Sequence, residues 1–447
     1  MGLIWKHTCL AALLTVSAGL FSACRAEQTS DSSSPKSKVM LLLLDGMRSD
    51  LYGEALPGLK AMENNGVRAE WLTPAYVTLS MPCMYTIATG LYPESHGITY
   101  NKYYNLTTGY KSKTFYETLN ITDWFNSPGV EPIWVTAVKQ GLKAGTVQYP
   151  GGNVAIQGVR PTKNSPGVPW QQLGQYPLKG LLDIGLEWLK NDDMDLVLVY
   201  SGQPDSALHG NGIGHEAATA KIHEVDEAVE YLFEKSREMG LGGTLDVIVT
   251  SDHGHVNIDQ RRYVELYDYI NASDIQMGLL DYGNTFQIEP VEGKLDTLYN
   301  ALVNAHPQLN VFKKEDFPVR FHYANSDRIM KLLGYVDANW YLFSRKTASS
   351  FFLAADHGYD NQNPEMRSIF YAQGPSFKKG YRGGHFESVN IYPMICELLG
   401  LDPVPNNGSR DNYRDLFDDG SSGAASVGHV GVAILAFIFT LIILLST

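Results

Sequence analysis

Val39-Met40-Leu41-Leu42-Leu43-Leu44-Asp45-Gly46 sets six apolar residues in a row and closes them with an acid and a glycine. Such a run is short for a helix and has no polar face. It reads as a strand covered on both sides, with Asp45 at its carboxyl end. The same design returns in Leu196-Val197-Leu198-Val199-Tyr200, ended by Ser201-Gly202-Gln203-Pro204-Asp205. It returns again in Leu245-Asp246-Val247-Ile248-Val249-Thr250, ended by Ser251-Asp252-His253-Gly254. Helical patterns at 178–189 and 216–239 lie between and around these runs. Strands alternating with helices predict an α/β fold, a mostly parallel sheet sandwiched by helices. In open sheets of this kind ligands bind off the carboxyl ends of the strands, so three acid-tipped strands point at one place.

Composition sets wider limits. The chain has 447 residues, 44% of them hydrophobic and 19% charged, which fits a globular protein with a sizeable core. A formal charge of -13 argues against a nucleic-acid polymer as partner, because such a surface needs basic patches. It does not argue against a small phosphate-bearing substrate, since bound cations reverse the local sign of an acidic site. No internal repeat or linker divides the chain, and 38–418 reads as one catalytic domain. The stretch 288–352 looks less regular and reads as an elaboration on that core.

Both ends read as processing signals. Lys6 and His7, the apolar stretch Leu10 to Leu20 and small residues at 22–26 have the layout of a secretory signal peptide over 1–26. A bacterial lipoprotein signal acylated at Cys24 is the rival reading. Ser-rich residues 27–37 follow as a disordered lead-in. At the other end, small residues Ser421 to Ala425, a spacer and the apolar run Val430 to Leu445 read as a GPI-attachment signal over 419–447 whose tail is removed. No basic residue follows the tail, which disfavours a permanent spanning helix. The expected location is the extracellular face of the plasma membrane. Sequons at Asn105, Asn120, Asn271 and Asn407 agree with export and nominate glycosylation sites. Only Cys83 and Cys396 remain after cleavage, so no disulfide framework supports the fold, and the pair is left open as bridged or free.

The chemistry-bearing residues gather at the strand ends. Asp and His are ordinary zinc ligands. Asp205 and His209 are spaced to share one face of a helical turn, Asp252 and His253 are adjacent in a turn beside Gly254, and His357 opens His357-Gly358-Tyr359-Asp360-Asn361. Each alone is most simply a cap or a surface residue. Together on converging strand ends they read as a metal site. Ser80, with Pro82 behind it, suits the start of a helix as a cap. The same position suits a nucleophile, because a helix start offers amides to phosphate and a metal activates the hydroxyl.

These motifs, with Thr86 to Gly97 and Ala372 to Phe377, resemble the ecto-nucleotide pyrophosphatase/phosphodiesterase family of the alkaline phosphatase superfamily, from Val39 to about Ser409. The resemblance implies an alkaline-phosphatase-like core and two Zn²⁺ ions per chain. One ion would be held by Asp205, His209 and His357, the other by Asp45, Asp252, His253 and the Ser80 hydroxyl. It also implies in-line attack by Ser80 on phosphorus, a phosphoseryl intermediate, and hydrolysis of that intermediate by water.

Two positions depart from the family pattern. Most members carry Thr at the nucleophile, whereas a Ser like Ser80 resembles the GPI-anchored, choline-specific branch. That branch cleaves glycerophosphocholine and lysophosphatidylcholine to release phosphocholine, so a small phosphodiester or lysophospholipid is the expected substrate. A nucleotide or other lipid phosphodiester is the alternative, and a non-catalytic surface binding protein a more distant one. The residue three after the nucleophile, usually an Asn holding a phosphate oxygen, is Cys83, a poorer donor. For a trimethylammonium group, Tyr76 beside the nucleophile segment and Tyr200 before Asp205 are the candidate aromatic contacts. Oligomeric state, a homodimer included, is left open.

Overall fold

The computed structural model describes residues 37–51, 55–165, 177–280, 284–347 and 350–418. The expected signal peptide at 1–26, the lead-in up to residue 36 and the anchor signal at 419–447 lie outside the described residues. β1 (Lys38–Leu44) is the middle of an eight-stranded sheet. The other strands are β2 (Val67–Ala69), β3 (Ala144–Val147), β4 (Lys163–Ser165), β5 (Leu196–Ser201), β6 (Leu245–Thr250), β11 (Phe370–Gln373) and β12 (Tyr381–Gly383). Their order is β12-β2-β11-β6-β1-β5-β3-β4, and only β11 runs against the rest.

The apolar run of β1 is buried throughout, and its alternate residues enter two separate cores. Val39, Leu41 and Leu43 join the cluster under α2 (Ser80–Thr89), α3 (Ile133–Lys139) and α8 (Ile391–Leu399). Met40, Leu42 and Leu44 join the cluster under α1 (Pro57–Asn65), α4 (Leu178–Asn191) and α6 (Glu216–Glu238). A strand that must satisfy both layers has no solvent face, which is why it reads as an unbroken hydrophobic run. The mostly parallel, helix-covered sheet is the one expected.

Register places the strand ends level. Leu44 pairs with Ser201 and Leu43 with Thr250, so the acids after each strand emerge along one rim. The stretch expected to be less regular, 288–352, instead joins with residues from 275 onward in a second, fully antiparallel sheet. Its strands are β7 (Ile275–Leu279), β8 (Thr285–Pro290), β9 (Leu309–Lys313) and β10 (Leu332–Val336), in the order β7-β8-β10-β9. Helix α7 (Leu295–Leu302) packs in the same hydrophobic cluster as three of these strands. Phe286, Ile288, Leu332 and Val336 form its core, and short strands between polar turns hid the pattern. Among the described residues no helix is long and apolar enough to cross a membrane.

Candidate metal centre

The rim is pinned by backbone hydrogen bonds before any side chain acts. Asp45 N donates to Ser201 O at 3.0 Å, and Asp205 N donates to Asp45 O at 3.0 Å. The Asp252 carboxylate is fixed through Oδ1, which accepts from Gly46 N and from His253 N, both at 3.0 Å. Gly46 sits at φ +74°, and a Cβ there would lie 2.4 Å from the His255 ring, so the turn tolerates no side chain. Asp205 opens helix α5 (Asp205–Asn211), and one turn later His209 brings Nε2 within 3.1 Å of Asp205 Oδ1. The helical spacing makes this pair local, whereas His357 arrives from the chain following the second sheet.

Two groups of donors result. Asp205, His209, His255 and His357 converge in one, and Asp45, Asp252 and His253 in the other. Asp205 Oδ1 lies 3.1, 3.1 and 3.5 Å from the Nε2 atoms of His209, His255 and His357. His253 Nε2 lies 3.5 Å from Asp45 Oδ1, 3.4 Å from Asp252 Oδ2 and 3.2 Å from Ser80 Oγ. Tetrahedral donors about 2.0–2.1 Å from a zinc ion stand about 3.3 Å apart, which is the spacing found. The His253 and His357 rings stack at 3.6 Å, so the groups adjoin.

The buried polar atoms make a second test of fit. Asp45 Oδ1, Asp205 Oδ1, Asp252 Oδ2 and His255 Nε2 are buried without a hydrogen-bond partner. Leaving such atoms unsatisfied is costly in a core, and a cation in each group would satisfy them. Each histidine turns its other nitrogen to a backbone carbonyl. Nδ1 faces Ala355 O at 2.8 Å in His209, Gly254 O at 3.1 Å in His253, Gly46 O at 3.2 Å in His255 and Thr78 O at 2.7 Å in His357. A carbonyl only accepts, so a proton sits on Nδ1 in each ring and, whenever the ring is neutral, the Nε2 lone pair is left for a metal, an arrangement usual for metal-binding histidines.

Electrostatics favour the same occupant. Burial holds His253 down to about 3 and His357 well below the usual imidazole range, so both rings are neutral donors at pH 7. Burial, then the Asp252 and Asp205 charges, push Asp45 well above the carboxylate range. Burial raises Asp252 to about 7 against the hydrogen bond from Gly46. Burial also opposes ionisation of Asp205, but His209 and His255 outweigh it and hold Asp205 low. His209 moves up to about 9, burial being overcome by Asp205. Its contact with Asp205 Oδ1 has the length of a hydrogen bond without the alignment, so the attraction is that of charge alone.

Ser80, the expected nucleophile, lies at the second group, its hydroxyl donating to His253 Nε2. It does not cap helix α2: Leu79 occupies the cap position and no side chain bonds there. Tyr200 is brought in differently from the expectation. Its hydroxyl donates to Asp45 Oδ2 at 2.6 Å, so it steadies a carboxylate, and only 8% of the residue is exposed. Tyr76 is 1% exposed, with Phe321, Tyr323, Phe317 and Tyr335 rings 4.1–5.9 Å from its own. The ring is already enclosed by other rings, which argues against the cation cage expected of it.

Cys83 also departs from expectation. Its buried thiol donates to the Ala75 and Val77 carbonyls at 3.4 and 3.5 Å, and so turns to the chain before the helix and not to a phosphate. The helix start is likewise poorer in free amides than expected, since Asn101 Oδ1 takes the Met81 N–H at 2.8 Å and Pro82 has none. Cys83 and Cys396 are both free and buried, which resolves the cysteine question. Asn120, Asn271 and Asn407 are exposed, while Asn105 is half-buried and accepts from Thr107 N and Thr108 N. His255 was missed by sequence reasoning. Its only signal was the doubled histidine in Asp252-His253-Gly254-His255.

Known proteins match this architecture. Residues 39–360 match the model of the type I phosphodiesterase / nucleotide pyrophosphatase family. Ectonucleotide pyrophosphatase/phosphodiesterase family member 7 of Mus musculus is 38% identical over 96% of this chain and 98% of its own length. The bis(5'-adenosyl)-triphosphatase of Bos taurus is 33% identical over 91% of this chain and 87% of its own. Among solved structures, an inactive variant of murine ectonucleotide pyrophosphatase/phosphodiesterase 5 in complex with AMP superposes with a TM-score of 0.78 at 31% identity, covering 86% of this chain and all of that one. Membership of this metal-dependent group accounts for the acid-tipped rim, and the chain belongs to the ectonucleotide pyrophosphatase/phosphodiesterase family, a hydrolase of phosphodiesters.

Proposed function

We propose that the chain is a two-zinc phosphodiesterase acting on choline phosphodiesters, glycerophosphocholine and lysophosphatidylcholine, and releasing phosphocholine through a phosphoserine at Ser80. The observation that carries the chemistry is the Ser80 hydroxyl held 3.2 Å from His253 Nε2, beside carboxylate oxygens with no other partner. Asp205, His209 and His357 would hold one ion, and Asp45, Asp252, His253 and Ser80 the other. When bound, such ions lower the pKa of a hydroxyl and neutralise charge on phosphoryl oxygens.

The chain's own groups do the rest. Ser80 Oγ attacks phosphorus, the Ser80–phosphorus bond forms, and the bond from phosphorus to the glycerol or lysolipid oxygen breaks in line with it. The proton lost by the Ser80 hydroxyl passes to solvent, the departing alkoxide takes one up from solvent, and water then adds to phosphorus as the bond to Ser80 Oγ breaks, freeing phosphocholine and restoring the hydroxyl. Tyr200 steadies Asp45, and the Gly254 carbonyl fixes the His253 ring, so the groups around the nucleophile arrive oriented.

The choline assignment rests on Ser80, whose identity resembles the choline-specific branch. A nucleotide phosphodiester is the second reading, favoured by the AMP complex and the bis(5'-adenosyl)-triphosphatase among the similar proteins. Purified protein assayed side by side on p-nitrophenyl phosphocholine and p-nitrophenyl thymidine monophosphate separates them. Preference for the first supports the choline reading, and preference for the second replaces it with the nucleotide one. We further propose GPI attachment at the outer membrane face and glycans on the exposed sequons Asn120, Asn271 and Asn407, with Asn105 the least accessible.

A further inference from the structure

We propose that His255 is a fourth protein donor to the ion held by Asp205, His209 and His357. The inference rests on the two-metal reading above and adds a residue to it.

Its ground is a pair of buried atoms that face each other without a hydrogen bond. His255 Nδ1 faces the Gly46 carbonyl at 3.2 Å, which requires the ring proton on Nδ1. Nε2 is thereby turned inward and sits 3.1 Å from Asp205 Oδ1. Both atoms are buried and neither makes a hydrogen bond. A cation between them would take both atoms as donors. The Nε2 atoms of His209 and His357 face the same oxygen at 3.1 and 3.5 Å, and His255 shares their arrangement of Nδ1 on a carbonyl.

The fold is built to bring this ring in. Gly46 leaves the space that the His255 ring fills, and a Cβ there would meet Cε1 at 2.4 Å and Nδ1 at 2.8 Å. The ring is fully buried, so it is not a surface histidine that happens to lie near acids. In Asp252-His253-Gly254-His255 the first histidine serves one group of donors and the second the other, so one turn ties the two ions together. Three side chains are the usual complement of a catalytic zinc, which can expand to five ligands to take water or substrate. The two ions would therefore be unequal: the one at Asp205 held tightly by four side chains, the one at Asp45 completed by the nucleophile.

Metal affinity tests this without reference to turnover. The purified holoenzyme and its His255→Leu and His255→Gln variants are dialysed against chelators of graded strength, and bound zinc is counted by elemental analysis. Wild type should retain one ion far longer than the other. His255→Leu should lose that retention by more than the roughly 10–100-fold that loss of an outer hydrogen-bond partner costs. His255→Gln, whose amide oxygen reaches near the place of Nε2, should recover part of it. Melting of the metal-free proteins should be similar, with the difference confined to the rise on adding zinc. X-ray absorption on wild type carrying one equivalent of zinc needs no variant, and should count three imidazoles. Two zinc ions in wild type with unchanged affinities in His255→Leu, or two imidazoles or fewer at one equivalent, would overturn the role of His255 alone. Failure of wild type to bind two ions would instead sink the two-metal reading.

Discussion

Replacing Tyr200 by Phe removes one oxygen and leaves the ring, which makes it a clean probe of how the centre is held. The lost contact is the 2.6 Å bond from the Tyr200 hydroxyl to Asp45 Oδ2, buried and charge-assisted when Asp45 is ionised. Bonds to charged groups contribute about 1.5–3 kcal/mol, and neutral ones about 0.5–1.5 kcal/mol. In the metal-free chain Asp45 favours its protonated form, because burial and the Asp252 and Asp205 charges push it up. The variant therefore costs the metal-free protein the smaller amount and the metal-bound protein the larger. The difference, about 1–2 kcal/mol, appears as roughly 5–30-fold weaker metal binding. Competition with a chromophoric chelator measures it. The Tyr200 bond also favours ionised Asp45, so its loss raises Asp45 further and lets protons compete with metal at higher pH. The fall in affinity on acidification should begin earlier in Tyr200→Phe than in wild type. Choline and nucleotide esters should lose activity alike at limiting zinc and recover alike at saturating zinc. Unchanged metal affinity with a loss confined to choline esters would refute this reasoning and return Tyr200 to the substrate as an aromatic contact.

Ser80→Ala should abolish turnover and leave the melting curve nearly unmoved, since Ser80 caps no helix and its hydroxyl bonds only toward the centre; residual rates within a few-fold of wild type would assign attack to water. Asp246→Asn should alter the pH dependence of stability. Burial pushes Asp246 up to about 6 from 3.8, with the Ser376 amide and hydroxyl opposing. Its contribution is full below 3.8 and is lost as pH rises through about 6. The full span is about 3 kcal/mol. Denaturant titrations in chelator should show Asp246→Asn gaining on wild type between pH 4 and pH 8, and parallel curves would refute the assignment. Phosphatidylinositol-specific phospholipase C should release the cell-surface protein, and retention with the 419–447 segment still present would favour a spanning helix.

The fold was legible where one physical demand dominates. Six buried residues in a row leave β1 no alternative to the middle of a two-layered sheet, and the acids after β1, β5 and β6 follow from strand register. Asp205 and His209 were legible because helical spacing makes them neighbours without help from the rest of the chain. Orientation was not legible. Cys83 sits where a phosphate contact was expected, yet its thiol follows the Ala75 and Val77 carbonyls, a choice made by local chain geometry. Tyr76 and Tyr200 were nominated by nearness in sequence. One is sealed among aromatic rings contributed by 317–335 and the other bonds to Asp45, and both outcomes depend on contacts between distant segments. The second sheet escaped because its strands are short and wholly antiparallel.

Burial of Asp45, Asp205 and Asp252 together explains why the centre is assembled as it is. Three carboxylates in one dry pocket repel one another, and burial alone costs each several kcal/mol. Protonating them relieves the charge but leaves the observed geometry without a purpose: Asp252 Oδ1 accepts two amides while Oδ2 is aimed away from any donor, and Asp45 splits its oxygens in the same manner between Tyr200 and nothing else. A carboxylate that shares one oxygen with the protein and withholds the other is oriented for a cation. The histidines supply donors without adding negative charge, so seven residues from the ends of β1, β5 and β6 and the segment at 357 would balance cations that no single element could hold. The strand ends had to be level for this, and the double-sided burial of β1 is what keeps them level. Fold and chemistry are in this sense one requirement, since slipping β1 by a single residue would turn Leu43 and Leu44 into each other's cores and carry Asp45 off the rim.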